Sequence, residues 1–522
     1  MMRPLIGILL FVLTSTNANA TPPAIAANGV SNAASRIPST LPGGAIARGS
    51  RIILTGIRFG STPTVTIQAA KAAVPAQVIT ADATRIEARV PANAPIGPAK
   101  LTVTAGKETS EPYNLSIVES SPGLYSRNDR GWGPGIADNL DANRRQPNSG
   151  SRSARIGQSI ALKSSGLGGR SPSHAMIGST PAKIQSIRRD ANPGIDEIII
   201  TVPPGAPQGC YVPVRLPNTT FSSNTVSIAI SARGGPCSPS AAFPMPHWKP
   251  GNSGVVLVAR SVTKELGDSN TTTVDELLAA FFALEKPEAL SSPFLYGLPP
   301  GSCILATAPI PEGASQSALS LLFGKPGTGI EAGPAISVNN RRYQRRVPPV
   351  PGTLGLYRST LSGRAAPRIA DRPVPLLLDP GPIQVTSPGG PQAGDFAITL
   401  RAASPIEFTR LVSVIHPARE PLHIEWQNSD SGRIVLIAAS AISDSSATAV
   451  CLCLEKAAKG AFTIPPDLLA HLPLSRQTPG QPPARLTLIS WPSKLDAPFK
   501  ARGLVNGEAV SISIAQSAIL LR

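Results

Sequence analysis

Short runs in which apolar and polar residues alternate recur along most of the chain. Arg85–Val90 and Lys100–Thr104 both follow this pattern, which is typical of strands with one buried face. Gly, Pro and Asn separate such runs about every 8–12 residues, a spacing that favours β-sandwiches over alternating strands and helices. We therefore predict an all-β protein.

One central segment has a different pattern. Val274–Lys286 reads VDELLAAFFALEK, and a run of threonines precedes it while Pro287 follows it. Acidic residues near its start and a broad apolar face predict a helix over 274–286. The predicted fold is all-β, with tandem immunoglobulin-like β-sandwiches and one short helix in a central connecting segment.

The composition excludes a mostly helical protein. The chain has 522 residues, of which 56 are proline and 46 glycine, while 41% are hydrophobic and 15% are charged. A proline therefore occurs about every nine residues, and the stretches between prolines are on average shorter than a helix of mean length. The hydrophobic fraction is still large enough to fill several cores.

The N-terminus has the pattern of a secretory signal peptide. Arg3 precedes an apolar run over Leu5–Leu13, and Ala18–Ala20 supplies a small-residue cleavage site. This predicts a signal peptide over 1–20, a flexible leader over 21–36, and an exported protein at an extracellular, cell-surface or periplasmic location. We expect no transmembrane span, since no later apolar run approaches the roughly 20 residues that one needs.

Two landmarks repeat at similar distances along the chain. Val90–Gly97 aligns with Val202–Gly209 at an offset of 112 residues, and Ile52–Gly60 aligns with Ile160–Gly168 at an offset of 108. Such a repeat indicates two tandem related domains. The predicted organisation is one domain over 37–118, a second over 119–232, a linker with the helix over 233–297, a locally basic β domain over 298–392, and a C-terminal β-sandwich-like domain over 393–522.

These segments resemble known families. GSRIILTGIRFG (Gly49–Gly60) and the segment Ala88–Ile117 resemble an IPT/TIG immunoglobulin-like domain, with Phe59-Gly60 and Pro95–Gly97 at the two characteristic turns. Ser120–Ser149 is similar to an uncharacterised immunoglobulin-like domain of large secreted proteins of soil bacteria. The resemblance implies a β-sandwich and an extracellular location, and it implies no activity and no catalytic residues.

The chain has a formal charge of +17, and its densest cluster of basic residues lies in one short segment. Arg341, Arg342, Arg345 and Arg346 surround Tyr343. One interpretation is a contact site for a polyanion, which could be an acidic polysaccharide, a lipid headgroup or a nucleic acid. The other is a strand edge whose charges prevent edge-to-edge pairing. Elsewhere the cations are scattered with few aromatic residues among them, so we expect no nucleic-acid partner.

The five cysteines allow two disulfides. Cys210 and Cys237 flank one strand–turn–strand segment and are a candidate pair, and Cys303 is a candidate partner for either Cys451 or Cys453. An exported chain meets the oxidising conditions in which such bonds form. No CxxC motif is present, which argues against zinc and thiol-redox chemistry.

The sequence contains no catalytic signature. We find no nucleophile elbow, metalloprotease motif, P-loop or dinucleotide fingerprint, and we expect no cofactor and no metal. The oxygen-rich run from Asp138 to Asn143 lacks the order of a calcium loop and is interpreted as a polar turn. Trp132, in a Gly-rich turn, is a candidate glycan contact or a packing residue at a domain junction.

Three hypotheses on function remain. The leading one is a non-catalytic exported protein that serves in adhesion or scaffolding at the cell surface or matrix. The second is a carbohydrate-binding protein, for which exposed tryptophans are expected beside polar residues. The third is a hydrolase with an unrecognised site in the C-terminal half. The expected partners are a cell-surface polysaccharide or a protein.

Overall fold

The computed structural model confirms the all-β fold class. Its regular structure is almost entirely strand, with one short α-helix and one 3-10 turn among the residues described. The strands form three units, which we call the first unit, the second unit and the C-terminal unit. The residues described are 21–69, 72–142, 144–169, 172–189, 193–217, 221–238, 249–266, 271–285, 298–309, 328–363, 375–379, 381–410, 412–475, 484–493 and 497–522.

The first unit is a sandwich in which one long strand belongs to both sheets. Its strands are β1 (Ala24–Asn32), β2 (Ile46–Ala47), β3 (Arg51–Ile57), β4 (Thr64–Ala69), β5 (Ala72–Ala81), β6 (Arg85–Arg89), β7 (Gly97–Ala105), β8 (Glu108–Thr109) and β9 (Tyr113–Val118). The first half of β5 pairs with β4, and its second half pairs with β6 beyond a bulge. Alternating apolar residues from both sheets meet in one core.

The second unit repeats this strand order. Its strands are β10 (Gly123–Leu124), β11 (Ala137–Asp141), β12 (Arg144–Pro147), β13 (Ala154–Arg155), β14 (Ser159–Ser165), β15 (His174–Ile177), β16 (Thr180–Arg189), β17 (Asp196–Thr201), β18 (Gly209–Arg215) and β19 (Val226–Ser231). Here β16 carries the bulge and joins both sheets, as β5 does. In each unit a two-residue strand also pairs in parallel with the last strand. The sequence repeat therefore corresponds to a repeated topology.

The predicted flexible leader over 21–36 is wrong. Strand β1 lies within it and pairs with β3 in the antiparallel sense. Val30 is fully buried in the core of the first unit. The segment AIAANGVSN contains few large apolar residues, so its alternation is weak, and the pairing partner rather than local propensity makes it a strand.

The C-terminal unit contains one large sheet and two small ones. The large sheet has eleven strands, and the small sheets have four and three. The elements are β20 (Gly251–Lys264), β21 (Thr271–Leu284), β22 (Ser302–Pro309), β23 (Thr328–Gly329), β24 (Ile336–Asn339), β25 (Gln344–Val347), β26 (Leu356–Gly363), β27 (Pro382–Ser387), β28 (Phe396–Arg401), β29 (Glu407–Arg410), β30 (Val414–Ile415), β31 (Leu422–Gln427), β32 (Arg433–Ile442), β33 (Ala447–Lys456), a 3-10 turn (Ala457–Lys459), β34 (Ala461–Ile464), α1 (Pro466–Leu469), β35 (Ala484–Pro492), β36 (Ala497–Pro498) and β37 (Asn506–Leu521).

Both small sheets pack on the same face of the large sheet. Ile437 of β32 lies opposite Leu488 of β35, and Leu488 lies opposite Ala515 of β37. These three residues belong to the core shared with the three-stranded sheet β29-β31-β34. Ala515 also pairs with Val262 of β20. Val256 and Val258 lie on the same face of β20 as Val262, and they pack against the four-stranded sheet β25-β24-β27-β28. Residues between these positions form a third apolar cluster on the opposite face.

The predicted helix over 274–286 is wrong, since strand β21 occupies Thr271–Leu284. Leu277 and Phe281 face the four-stranded sheet, while Leu278 and Phe282 point to the other side. A strand that buries both faces has the apolar density of a helix face, so periodicity does not separate the two. Pairing with β20 over fourteen residues and with β26 on the other side decides the outcome.

Two of the predicted boundaries also change. The predicted linker over 233–297 contains β20 and β21, which lie inside the large sheet rather than between domains. The predicted boundary between 298–392 and 393–522 separates β27 from β28, which are paired neighbours in the four-stranded sheet. The large sheet takes strands from both predicted domains, for example β22 beside β33. Residues from 249 to the C-terminus therefore form one unit.

A buried carboxylate joins three segments of this unit. The side chain of Asp275 is fully buried and accepts two hydrogen bonds from Arg260, at 2.7 and 3.0 Å. Its Oδ2 also accepts the hydroxyl of Ser362 at 2.7 Å and the N–H groups of Leu377 and Leu378 at 2.6 and 2.9 Å. Burial alone would raise the pKa of Asp275, but Arg260 and these donors hold it below its usual value.

We expect Asp275→Asn to lower the free energy of unfolding by about 3–5 kcal/mol, because it removes the buried counter-charge of the Arg260 guanidinium and leaves only the exposed carboxylate of Asp379, 3.6 Å away. The measurement is urea denaturation followed by circular dichroism. Asp395→Asn, at an exposed aspartate, is the matched control and should change stability by less than about 0.5 kcal/mol. Equal effects of the two substitutions would show that the buried ion pair does not stabilise the unit.

Candidate functional site: an arginine-rich hairpin

The four clustered arginines lie on the hairpin formed by β24 and β25. The two strands pair from Ile336–Val347 to Asn339–Gln344, so Arg341 and Arg342 lie in the turn. Asn340 fixes this turn, because its Oδ1 accepts the N–H groups of Arg342 and Tyr343 at 2.8 and 2.7 Å. The Asn340 side chain also donates to the carbonyl oxygen of Leu377 at 2.8 Å. The turn is thus held to the body of the unit.

The arginines of the hairpin differ in their surroundings. Arg341, Arg342 and Arg346 are exposed, whereas Arg345 is half-buried and donates from Nε to the carbonyl oxygen of Leu361 at 3.1 Å. In the part of the chain that the structure describes, none of the four forms an ion pair. Residues 328–363 contain five arginines and a single acidic residue, Glu331. The hairpin therefore presents positive charge that the surrounding chain does not neutralise.

The position of the hairpin bears on both sequence interpretations. Strand β25 is an edge strand, since it pairs with β24 alone in the four-stranded sheet. Charge on an edge strand discourages pairing with another chain, and this accounts for Arg346. It does not account for Arg341 and Arg342, which lie in the turn beyond the paired residues. These two guanidinium groups are the part of the cluster that edge protection leaves unexplained.

The tryptophans do not form an exposed stacking platform. Trp132, Trp426 and Trp491 have exposed fractions of 8%, 4% and 4%, and Trp248 lies outside the described residues. Trp132 lies under the guanidinium of Arg130 at 5.6 Å. Its neighbour Gly131 approaches the first unit so closely that a Cβ there would lie 2.0 Å from the carbonyl oxygen of Ser35. Trp132 is thus a packing residue at the junction of the first two units.

In the oxygen-rich run from Asp138 to Asn143, where we predicted a polar turn, strand β11 extends to Asp141, and Asn143 lies outside the described residues. Strand β11 contains Asp138 and Asp141, and their carboxylates accept hydrogen bonds from Arg145 and Arg155 at 2.6 and 2.9 Å. Arg145 also pairs with Glu197 of β17. These carboxylates serve as cross-strand ion-pair partners. Among the described residues no group of three or more potential ligands is arranged to hold a metal ion.

One hydroxyl–imidazole–carboxylate arrangement occurs, and sequence spacing did not reveal it. On the three-stranded sheet, Nδ1 of His423 lies 3.0 Å from the hydroxyl of Thr463, and Nε2 lies 3.0 Å from Glu425. The strand that carries His423 is paired on both sides, with β29 and with β34. The imidazole and the carboxylate are largely exposed to solvent.

Disulfides join Cys210 to Cys237, and Cys303 to Cys453 rather than to Cys451. Cys303 and Cys453 lie directly opposite each other on β22 and β33, with their Cα atoms 4.0 Å apart. Cys451 remains a free thiol. It is fully buried and lies 3.1 Å from the carbonyl oxygen of Leu468.

Comparison with known proteins identifies no family. No family model and no curated protein matches the chain. Solved structures similar to it include SGBP-B of a Bacteroides ovatus mixed-linkage glucan utilization locus, solved with a heptasaccharide. The identity is 12% and the TM-score 0.21, over 36% of this chain and 45% of that one.

A second similar structure is SGBP-B of a Bacteroides uniformis xyloglucan utilization locus, with 13% identity and a TM-score of 0.19 over 73% and 97% of the chains. A third is a Ca2+-stabilized adhesin of an Antarctic bacterium, with 11% identity and a TM-score of 0.13 over 97% and 100%. TM-scores this low do not establish a shared fold. No described helix is long and apolar enough to cross a membrane.

We expect thiol titration with a chromogenic disulfide reagent to detect no reactive cysteine in the native protein and one per chain after denaturation. Burial raises the pKa of the Cys451 thiol, and the thiolate is the reactive form. Cys451→Ser should remove the single signal. More than one thiol in the denatured, unreduced protein would contradict the two disulfides.

Proposed function

We propose that the protein is a non-catalytic, exported binding protein that contacts an acidic polysaccharide of the cell surface or matrix through the arginine-rich hairpin. The observation that carries this proposal is the fixed turn at Asn340, which presents Arg341 and Arg342 without an acidic partner among the described residues. A guanidinium group binds carboxylate or sulfate oxygens through paired hydrogen bonds.

Several features favour a polysaccharide over a nucleic acid. Non-specific binding of single strands relies on aromatic rings on which bases stack, and the hairpin carries one aromatic residue, the half-buried Tyr343. The two disulfides support an oxidising compartment, in agreement with the predicted signal peptide over 1–20, which lies outside the described residues. An exported polysaccharide that carries carboxylates at regular intervals could pair with several guanidinium groups in a row.

The first two units serve in this proposal as a scaffold for adhesion. We propose that they are immunoglobulin-like sandwiches of the IPT/TIG type. At the first characteristic turn, Phe59 is fully buried and Gly60 has a φ of +70°, a conformation that favours glycine. At the second, Gly97 has a φ of +125° before β7.

We expect the triple variant Arg341→Gln, Arg342→Gln, Arg346→Gln to bind a polyuronate at least tenfold more weakly than the wild type. Loss of three charge-assisted contacts has this effect, and wild-type affinity should fall steeply as salt rises from 50 to 300 mM because exposed charges are screened. Isothermal titration calorimetry measures both.

The matched control is Arg401→Gln, Arg410→Gln, Arg419→Gln, which removes the same charge at three exposed arginines elsewhere in the C-terminal unit. Its affinity should remain within twofold of the wild type. An equal loss of affinity in both variants would show that binding depends only on net charge, and it would contradict a site at the hairpin. Salt-independent binding of a neutral glucan, unchanged in both variants, would favour the second candidate, a neutral-carbohydrate site.

A further inference from the structure

A joint connects all three units around one buried histidine. The C-terminal unit contributes the segment that begins with α1 and ends at His471. The first unit contributes a loop that includes Pro42 and Gly43, and the second contributes Phe221 and Ser222. The partners of His471 lie 249 and 429 residues away along the chain, so no motif in the sequence indicates this contact.

The geometry around His471 is tight on every side. The residue is 1% exposed. Its Nε2 lies 2.9 Å from the carbonyl oxygen of Ser222, and its Nδ1 lies 3.3 Å from that of Pro42. The ring of Phe221 is 5.4 Å away between centroids. Gly43 has a φ of +76°, and a Cβ there would lie 2.4 Å from the imidazole.

This arrangement gives one imidazole two acceptors. A neutral imidazole has one N–H, so it donates to one carbonyl oxygen and turns a lone pair toward the other. The shorter contact indicates that Nε2 carries the proton and donates to Ser222. The second hydrogen bond, to the first unit, would form only if the ring were charged, and a charge there would be cut off from water.

The charged groups that face the imidazole are already paired with each other. Asp467 of α1 accepts a hydrogen bond from Nε of Arg215, on β18 of the second unit, at 2.8 Å. The backbone carbonyl of Asp467 also accepts the N–H of Ser222 at 3.2 Å. Cys451, packed against α1, is a neutral thiol because burial raises its pKa. From the first unit the nearest groups are the backbone of Pro42 and Gly43.

An apolar contact accompanies the polar joint. Ile37 and Leu41 of the first unit are 2% and 4% exposed, and they belong to the core that otherwise consists of residues of the C-terminal unit. The loop from Ile37 to Gly43 therefore inserts into the C-terminal unit and ends at the imidazole. Opening the joint would hydrate His471 and withdraw these two side chains together.

We propose that this joint is an acid-sensitive latch between the C-terminal unit and the first two units, which opens when His471 takes up a proton. It is closed at neutral pH, where the imidazole is neutral and its burial removes no charge from water. In acid the charged imidazolium is stabilised by contact with water, and the ring reaches water when the joint opens. This inference does not depend on the proposed polysaccharide site.

The direction of the pH effect follows from the two states of the histidine. Burial lowers the pKa of His471 to about 4, although the carbonyl groups of Ser222 and Pro42, which would accept both protons of the charged ring, act in the opposite sense. In the opened joint the pKa returns to its usual value near 6.5. The opened form therefore binds the proton more tightly, and the closed form loses stability as the pH falls from about 6.5 to 4. Between pH 7.5 and 5.0 the equilibrium should shift about 30-fold toward opening.

The test is small-angle X-ray scattering of the full chain at pH 7.5 and 5.0. The radius of gyration of the wild type should increase at the lower pH, and that of His471→Gln, which keeps a donor but does not titrate, should stay constant. His423→Gln, at an exposed histidine, is the matched control and should behave as the wild type does. A wild-type radius independent of pH, or expansion retained in His471→Gln, would overturn the proposal.

A second variant covers the case in which His471→Gln does not fold. Gly43→Ala places a methyl group against the imidazole at a backbone conformation that disfavours alanine. We expect it to show at pH 7.5 the expanded radius that the wild type shows at pH 5.0. A compact Gly43→Ala protein at pH 7.5 would contradict the latch.

Discussion

The C-terminal unit depends on one constraint: its large sheet is buried on both faces. Because side chains alternate along a strand, each long strand must supply two apolar rows. One row of β32, β35, β37 and β20 forms cores with the two small sheets, and the other forms the third cluster. The four-stranded sheet is thereby fixed on one side of the large sheet. Its edge strand β25, and the arginine turn beside it, take their positions from that packing.

The same constraint explains where sequence reasoning succeeded and where it failed. In strands with one solvent-exposed face, such as β6 and β7, apolar and polar residues alternate clearly, so these strands can be predicted from the sequence alone. Strand β21 buries Phe281 and Phe282 on opposite sides, so its composition is that of an amphipathic helix, and only its long pairing with β20 makes it a strand. Strand β1 was not predicted for the opposite reason, since it has too few large apolar residues to produce an alternating pattern.

The candidate site divides in a similar way. The arginines of the hairpin are adjacent in sequence, so their cluster is visible without a structure. What the sequence could not supply is the difference between Arg346 on the edge strand and the two arginines in the turn that Asn340 fixes. The arrangement around His471 and that around His423 bring together residues distant in the chain. They carry no signal in spacing, and only the packing of separate strands and units creates them.

Two buried ionisable side chains in the C-terminal unit show how burial and hydrogen-bonding partners together decide whether a side chain is charged. Asp275 receives five hydrogen bonds, two of them from a guanidinium, and it therefore stays charged. His471 faces two acceptors with one proton to donate, while the nearby carboxylate is held by Arg215. The first environment stabilises the charged form and gives a fixed connection within one unit. At the second, burial opposes the charged form more strongly than the two carbonyl acceptors favour it, and we propose that this makes a connection between units sensitive to pH.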